Sequence, residues 1–152
     1  MKKDVLISIT GTVISEEGTP DVIELVTAGR YYKRDGKYYI RYLESEATGF
    51  AGVTTTVKVE GNQSVTLTRS GPSASHLILE NGKRHLCQYD TGMGQMMVGI
   101  SGCQIHSALD ELGGELEFRY MLDVNSNLIS RNEVRISIKE ANGHAEPHVY
   151  SN

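Results

Sequence analysis

Arg69 and Glu44, with the hydroxyl-bearing Tyr42, Thr55 and Thr27, are the residues whose types best suit a shared site. A guanidinium beside a carboxylate and several hydroxyls can orient a carboxylate-bearing or polar ligand, because its planar fork donates two parallel hydrogen bonds. The same group can instead be an internal ion pair that fixes how a sheet closes. Both readings stand. The structural one is preferred for Arg69, because Glu44 gives it a partner within the chain. A second set, His76, His85 and Cys87, carries the nitrogen and sulfur donors that zinc accepts. A two-residue turn at Asn81-Gly82 would pair Ile78 with His85 and His76 with Cys87, with Met97 opposite Cys87. That places all three donors on the outer face with no fourth ligand near. An incidental surface cluster is expected, with no metal site, and Cys103 is not expected to bridge to Cys87. Gly92, Gly94, Gly99 and Gly102 precede no helix, so they suit turns and bends rather than a phosphate loop. Nothing activates a particular nucleophile, so no catalytic residue and no cofactor are expected, and an enzyme is the least favoured class.

The elements that position these residues are strands. Val, Ile and Thr number 34 against 7 Ala, a mix that fits pleated surfaces better than helices. Apolar and polar residues alternate through Val5 to Val13, Ile23 to Tyr31, Tyr38 to Tyr42, Val53 to Val59, Val65 to Leu67 and Leu77 to Leu86. The alternation resumes in Met96 to Ile100, Leu116 to Leu122 and Val134 to Ile138. Asp35-Gly36 and Asn81-Gly82 read as tight hairpin turns, and Gly61-Asn62-Gln63 as a three-residue one. One helical turn is expected at His106 to Leu112, capped by Ser107. Short connections leave no room for crossover helices. The predicted fold is therefore all-β: a closed antiparallel meander barrel of eight to ten strands, with a two-sheet sandwich as the alternative. The barrel spans residues 1–141. Residues 142–152 lose the alternation and read as a mobile tail.

Turn lengths predict partners. The Asp35-Gly36 turn sets Tyr31 opposite Ile40, Gly29 opposite Tyr42 and Thr27 opposite Glu44. Consistent faces then set Tyr42 opposite Thr55 and Thr55 opposite Arg69. One inward row reads Gly29, Tyr42, Thr55, Arg69, and its neighbour reads Thr27, Glu44, Val53, Gly71. Glu44 lies diagonal to Thr55, within reach of Arg69.

Composition excludes several classes. The chain has 152 residues, 39% hydrophobic and 22% charged, enough for one domain with a sizeable core. It has no apolar run long enough for a membrane span, and its start, Met-Lys-Lys-Asp-Val-Leu, is not expected to act as a secretory signal. A net charge of -4 speaks against nucleic acid and anionic membranes as partners. Two cysteines suit a reducing cytoplasm. On the outer face, Val22, Val26, Ala28, Tyr32, Tyr39 and Leu43 are apolar for solvent, so a homodimer through this face is expected.

The stretch Val22-Ile-Glu-Leu-Val-Thr-Ala-Gly29, then Tyr39-Ile-Arg-Tyr-Leu-Glu44, Thr55 and Arg69-Ser-Gly71 resembles the YwiB-like family of uncharacterised bacterial proteins. Tyr89-Asp-Thr91, Gly113-Gly114, Tyr120 and residues 132–138 extend the resemblance over residues 4–140. It implies a calycin-like, lipocalin-like β-barrel and no activity, cofactor or catalytic residue. Two functions follow as expectations. One is a barrel holding a small amphipathic or carboxylate-bearing ligand near Tyr42, Glu44, Thr55, Arg69 and Thr27. The other is a structural or protein-interaction barrel whose lumen is plugged by Tyr31, Tyr38, Tyr42, Phe118, Tyr120 and Met96.

Overall fold

The computed structural model of the chain describes residues 2–15, 18–45, 51–72, 74–90 and 94–141. They form ten strands: β1 (Lys2–Ser15), β2 (Pro20–Arg34), β3 (Lys37–Leu43), β4 (Thr54–Glu60), β5 (Ser64–Ser70), β6 (Ser75–Glu80), β7 (His85–Asp90), β8 (Gln95–Asp110), β9 (Gly113–Val124) and β10 (Asn127–Glu140). Each pairs antiparallel with its chain neighbours, and β1 pairs with β10 to close the barrel. Closure satisfies the backbone groups that an edge strand would expose. The expected tail, residues 142–152, lies outside the described residues, and no helix among the described residues is long and apolar enough to cross a membrane.

The β2–β3 turn follows the sequence expectation. Asp35 and Gly36 both have positive φ, 53° and 78°, the geometry of a type I′ turn. Tyr31 therefore faces Ile40, and Gly29 faces Tyr42. The Gly61-Asn62-Gln63 loop likewise sets Val57 opposite Leu67 and Thr55 opposite Arg69.

Two expectations are corrected. The Asn81-Gly82 segment is not a two-residue turn: β6 ends at Glu80 and β7 begins at His85, leaving a four-residue loop. Only Gly82 takes positive φ there. Asn81 is drawn to the neighbouring hairpin, where its N–H donates to Gln63 O at 3.0 Å and its Nδ2 to Asn62 O at 2.5 Å. The pairing shifts by one residue, and a one-residue slip exchanges the faces. His76 faces Gln88 rather than Cys87, and Val98 rather than Met97 lies opposite Cys87. Cys87 is buried and Leu86 is exposed. The second correction concerns residues 106–110, which lie within β8 rather than in a helical turn. Ser107 pairs with Leu116, and its N–H donates to Asn62 Oδ1 at 2.7 Å, so it caps nothing. Alternation of Cys103, Ile105 and Leu109 toward the interior outweighs the capping signal.

The interior is packed at one end. Val5, Ile7, Tyr31, Val59, Val65 and Leu79 are at most 2% exposed. Each large side chain so buried contributes about 1.5–3 kcal/mol. Tyr31 stacks on Tyr38 with ring centroids 5.4 Å apart and donates its hydroxyl to Asp110 O at 2.8 Å. Tyr31 and Tyr38 fill the lumen at this end.

Candidate functional site

Strand length makes the opposite end different. The contiguous strands β8, β9, β10, β1 and β2 have 12 to 16 residues each, and β3 to β7 have 6 or 7. The long strands form a tall wall that rises past the short one. β2 pairs with β3 only over Gly29–Arg34, so among the described residues the inward side chains of its first half face no partner strand on that side. The result is a cavity of about 460 Å³ bounded by Ile9, Leu25, Leu122 and Val134 on the tall wall and by Tyr42, Glu44, Thr55, Arg69 and Tyr89 on the short one. Phe118 forms part of its floor. Gly11, on the inner face of β1, widens it: a Cβ there would meet nothing within 4 Å.

The row Gly29, Tyr42, Thr55, Arg69 crosses four strands in the predicted register. Gly29 has no side chain for a steric reason. A Cβ would stand 2.4 Å from Ile7 Cδ1 and 2.5 Å from Arg41 O. Glu44 follows the end of β3, and its N–H donates to Val53 O at 2.8 Å, which turns its side chain into the barrel beside β4. The carboxylate is almost wholly buried. Thr55 Oγ1 donates to its Oε2 at 2.5 Å, Arg69 Nε lies 3.7 Å from the same oxygen, and the Tyr42 hydroxyl hydrogen-bonds to Glu44 and Thr55. A buried carboxylate is tolerable only when paired and hydrogen-bonded, and this one is both. Arg69 retains about a fifth of its side-chain exposure, toward the cavity.

Burial pushes the Tyr42 phenol far above its ordinary value, the Glu44 charge pushes it the same way, and Arg69 opposes the shift. The Tyr120 phenol is pushed up to about 12, chiefly by burial, again against Arg69. Both phenols are thus protonated donors at neutral pH. The Tyr42 proton is committed to Glu44, so the arrangement offers a guanidinium and the Tyr120 O–H to a polar head, with an apolar wall for the rest of a ligand.

Four of the five predicted site residues converge. Thr27 does not: it pairs with Ile7, its Oγ1 donates to Ala28 O at 3.3 Å, and it lies outside the cavity. The β2–β3 ladder ends at Gly29, so the expected pairing of Thr27 with Glu44 does not form. Tyr89, Tyr120 and Asn132 join the lining. Inward alternation pointed to Tyr120 as lumen filler, but nothing local signalled that it lines open space. Cys87 and Cys103 are buried free thiols whose pKa values burial raises. His85 Nε2 lies 2.8 Å from Glu80 Oε1, away from His76, and no cluster of three metal-ligating side chains occurs among the described residues.

Residues 7–136 match the profile of a domain of unknown function, DUF1934. The chain is 31% identical over 125 residues to the uncharacterized β-barrel protein YwiB of Bacillus subtilis (strain 168), covering 82% of this chain and 86% of that one. The crystal structure of the ywiB protein from Bacillus subtilis superposes with a TM-score of 0.79 at 24% identity, covering 93% of this chain and 94% of that one. A ten-stranded closed antiparallel barrel, the profile match and the identity agree: this chain belongs to the DUF1934 family of β-barrel proteins.

Proposed function

We propose that this protein binds a small amphipathic ligand in the open end of its barrel, with a carboxylate or similarly polar head against Arg69 and Tyr120. The observation that carries this reading is the cavity of about 460 Å³, apolar on the tall wall and polar at one corner. Ligand sites are typically of this size, mostly apolar with a few convergent polar groups. Glu44 and Thr55 hold Arg69 rather than meet the ligand, because the carboxylate is buried behind the guanidinium. This reading joins the two roles weighed for the pair: Glu44 is the structural partner and Arg69 the docking group. Lipocalin-type barrels are built on the same plan, a closed meander with a ligand-sized space at one end. The two buried free thiols fit a cytoplasmic location.

Gly11→Leu tests the proposal without disturbing packing, because its side chain enters open space. Decanoate and decanol are titrated by calorimetry against wild type and this variant. Wild type is expected to bind decanoate more tightly than decanol, and Gly11→Leu to lose both while keeping its denaturation midpoint. Equal heats for wild type and variant would overturn the reading.

A further inference from the structure

Net charge averages over a surface on which the charges are segregated. On the outer face of the packed end, three cross-strand pairs follow one another between β2 and β3: Arg34 with Lys37, Tyr32 with Tyr39, and Arg30 with Arg41. Lys2 on β1 lies opposite Tyr32, and Lys58 on β4 opposite Tyr39. Six of the chain's 15 Lys and Arg residues therefore surround two tyrosines, with three of its 19 Asp and Glu residues among them: Asp4, Glu60 and Asp35 in the turn between Arg34 and Lys37. Arg30 pairs with Asp4 at 3.0 Å, and Lys37 and Lys58 share Glu60 at 3.9 and 3.7 Å. Lys2, Arg34 and Arg41 have no carboxylate within 4 Å among the described residues. Lys2 and Arg34 instead lie over the Tyr32 ring, 5.0 and 5.7 Å from its centroid.

Like charges directly opposite each other on a sheet are destabilising. Here there are two such pairs, in an acidic protein, on either side of an aromatic pair stacked at 4.9 Å and 5°. The arginines are exposed and the tyrosines half-buried; Tyr32 has Tyr39 on one ring face and Lys2 and Arg34 over the other, whereas Tyr39 has a stacked ring on one face only among the described residues. Half-buried rings present little apolar surface to a bilayer, whereas a planar base can stack on the free face of Tyr39 among the cations. A two-fold dimer centred on Tyr32 and Tyr39, the contact anticipated from the sequence, would set six cations against six. We infer that this face binds single-stranded nucleic acid, phosphates on Lys2, Arg34 and Arg41 and bases against the face of Tyr39 turned away from Tyr32. Cations that follow a backbone, interleaved with aromatic rings, are the general means of holding a single strand without reading its sequence. The site is separate from the barrel cavity and does not depend on its occupancy.

The test is fluorescence anisotropy with labelled dT12 and rU12. Neutralising about three phosphates predicts a slope near −2 in log affinity against log salt, roughly a twenty-fold loss between 50 and 200 mM. Arg34→Glu with Arg41→Glu turns both like-charge pairs into opposite-charge pairs, so the double variant is expected to melt no lower than wild type and to lose binding. Tyr39→Ala is expected to weaken binding about five-fold or more. Absence of binding at 50 mM salt would overturn the inference. So would equal affinity for polyglutamate, capture by phosphatidylserine vesicles but not by the oligonucleotides, or retention of binding in the double variant. A dimer by light scattering that the double variant makes tighter and the oligonucleotides leave intact would assign the face to a second copy instead.

Discussion

Arg84 reaches Asp123 over the backbone of Gly99. Its Nη2 lies 2.6 Å from Asp123 Oδ1 and its Nε 3.1 Å from Oδ2. A Cβ on Gly99 would come within 2.4 Å of the guanidinium and 2.6 Å of the carboxylate. The pair therefore straps the β6–β7 loop to β9 across β8, and the glycine is what allows it to lie so close to the sheet.

The strap predicts an acid dependence. Arg84 holds the Asp123 carboxyl below the usual carboxylate range, with help from the Ser126 N–H. A group whose pKa is lowered by folding stabilises the fold above its unfolded pKa, and loses that contribution as pH falls through the folded one. The stability gap between wild type and Arg84→Met is expected to be full at neutral pH and to shrink below about pH 4, where unfolded carboxylates begin to protonate. Gly99→Ala displaces the guanidinium and is expected to give the same profile. Urea midpoints from pH 7 to 3 check both.

Removing Arg69 leaves a buried carboxylate without its cation. Arg69→Met is expected to cost about 3 kcal/mol, the lower part of the range for breaking a buried pair, because Thr55 and Tyr42 still hydrogen-bond Glu44. Adding Glu44→Gln is expected to recover most of the loss. A double-mutant cycle in urea measures the coupling; additive losses would show that the pair does not act as a unit.

Gly29→Ala is expected to cost about 1–3 kcal/mol through overpacking. Its Cβ meets both the Ile7 side chain and the Arg41 carbonyl. Trimming the first contact with Ile7→Val is expected to rescue only part of the loss, because the backbone contact remains. The two single variants and the double variant, compared by thermal melting, decide this.

Both thiols are expected to be unreactive in the folded protein. Cys87 and Cys103 are at most 7% exposed, and burial raises the pKa of each. Reaction requires a thiolate and access. Treatment with a thiol-reactive disulfide such as Ellman's reagent should titrate two groups only after denaturant is added; prompt native reaction would contradict the packing.

Local chemistry determined much of the fold. The positive φ available to Asp35 and Gly36 closes one hairpin in one register, and inward alternation carries that register through Thr55 to Arg69. Glu44 was legible as part of the site because a strand's period of two leaves only one face for it. Asn81-Gly82 carries an equally strong turn signal and misled, because Asn81 bonds to a loop 18 residues earlier in the chain. Thr27 misled for a related reason: the end of a ladder depends on how far the partner strand runs, which turn chemistry does not specify. The four residues at the cavity's polar corner were legible, but the tall wall that opens it was not. It arises because five long strands happen to be contiguous around the barrel and five short ones complete it, and which strands become neighbours at closure is settled by the β1–β10 pairing. The strap from Arg84 to Asp123 and the cationic ring around Tyr32 and Tyr39 have the same origin. Sequence spacing fixes the direction of each side chain from its own strand, and only the assembled sheet decides what lies opposite it.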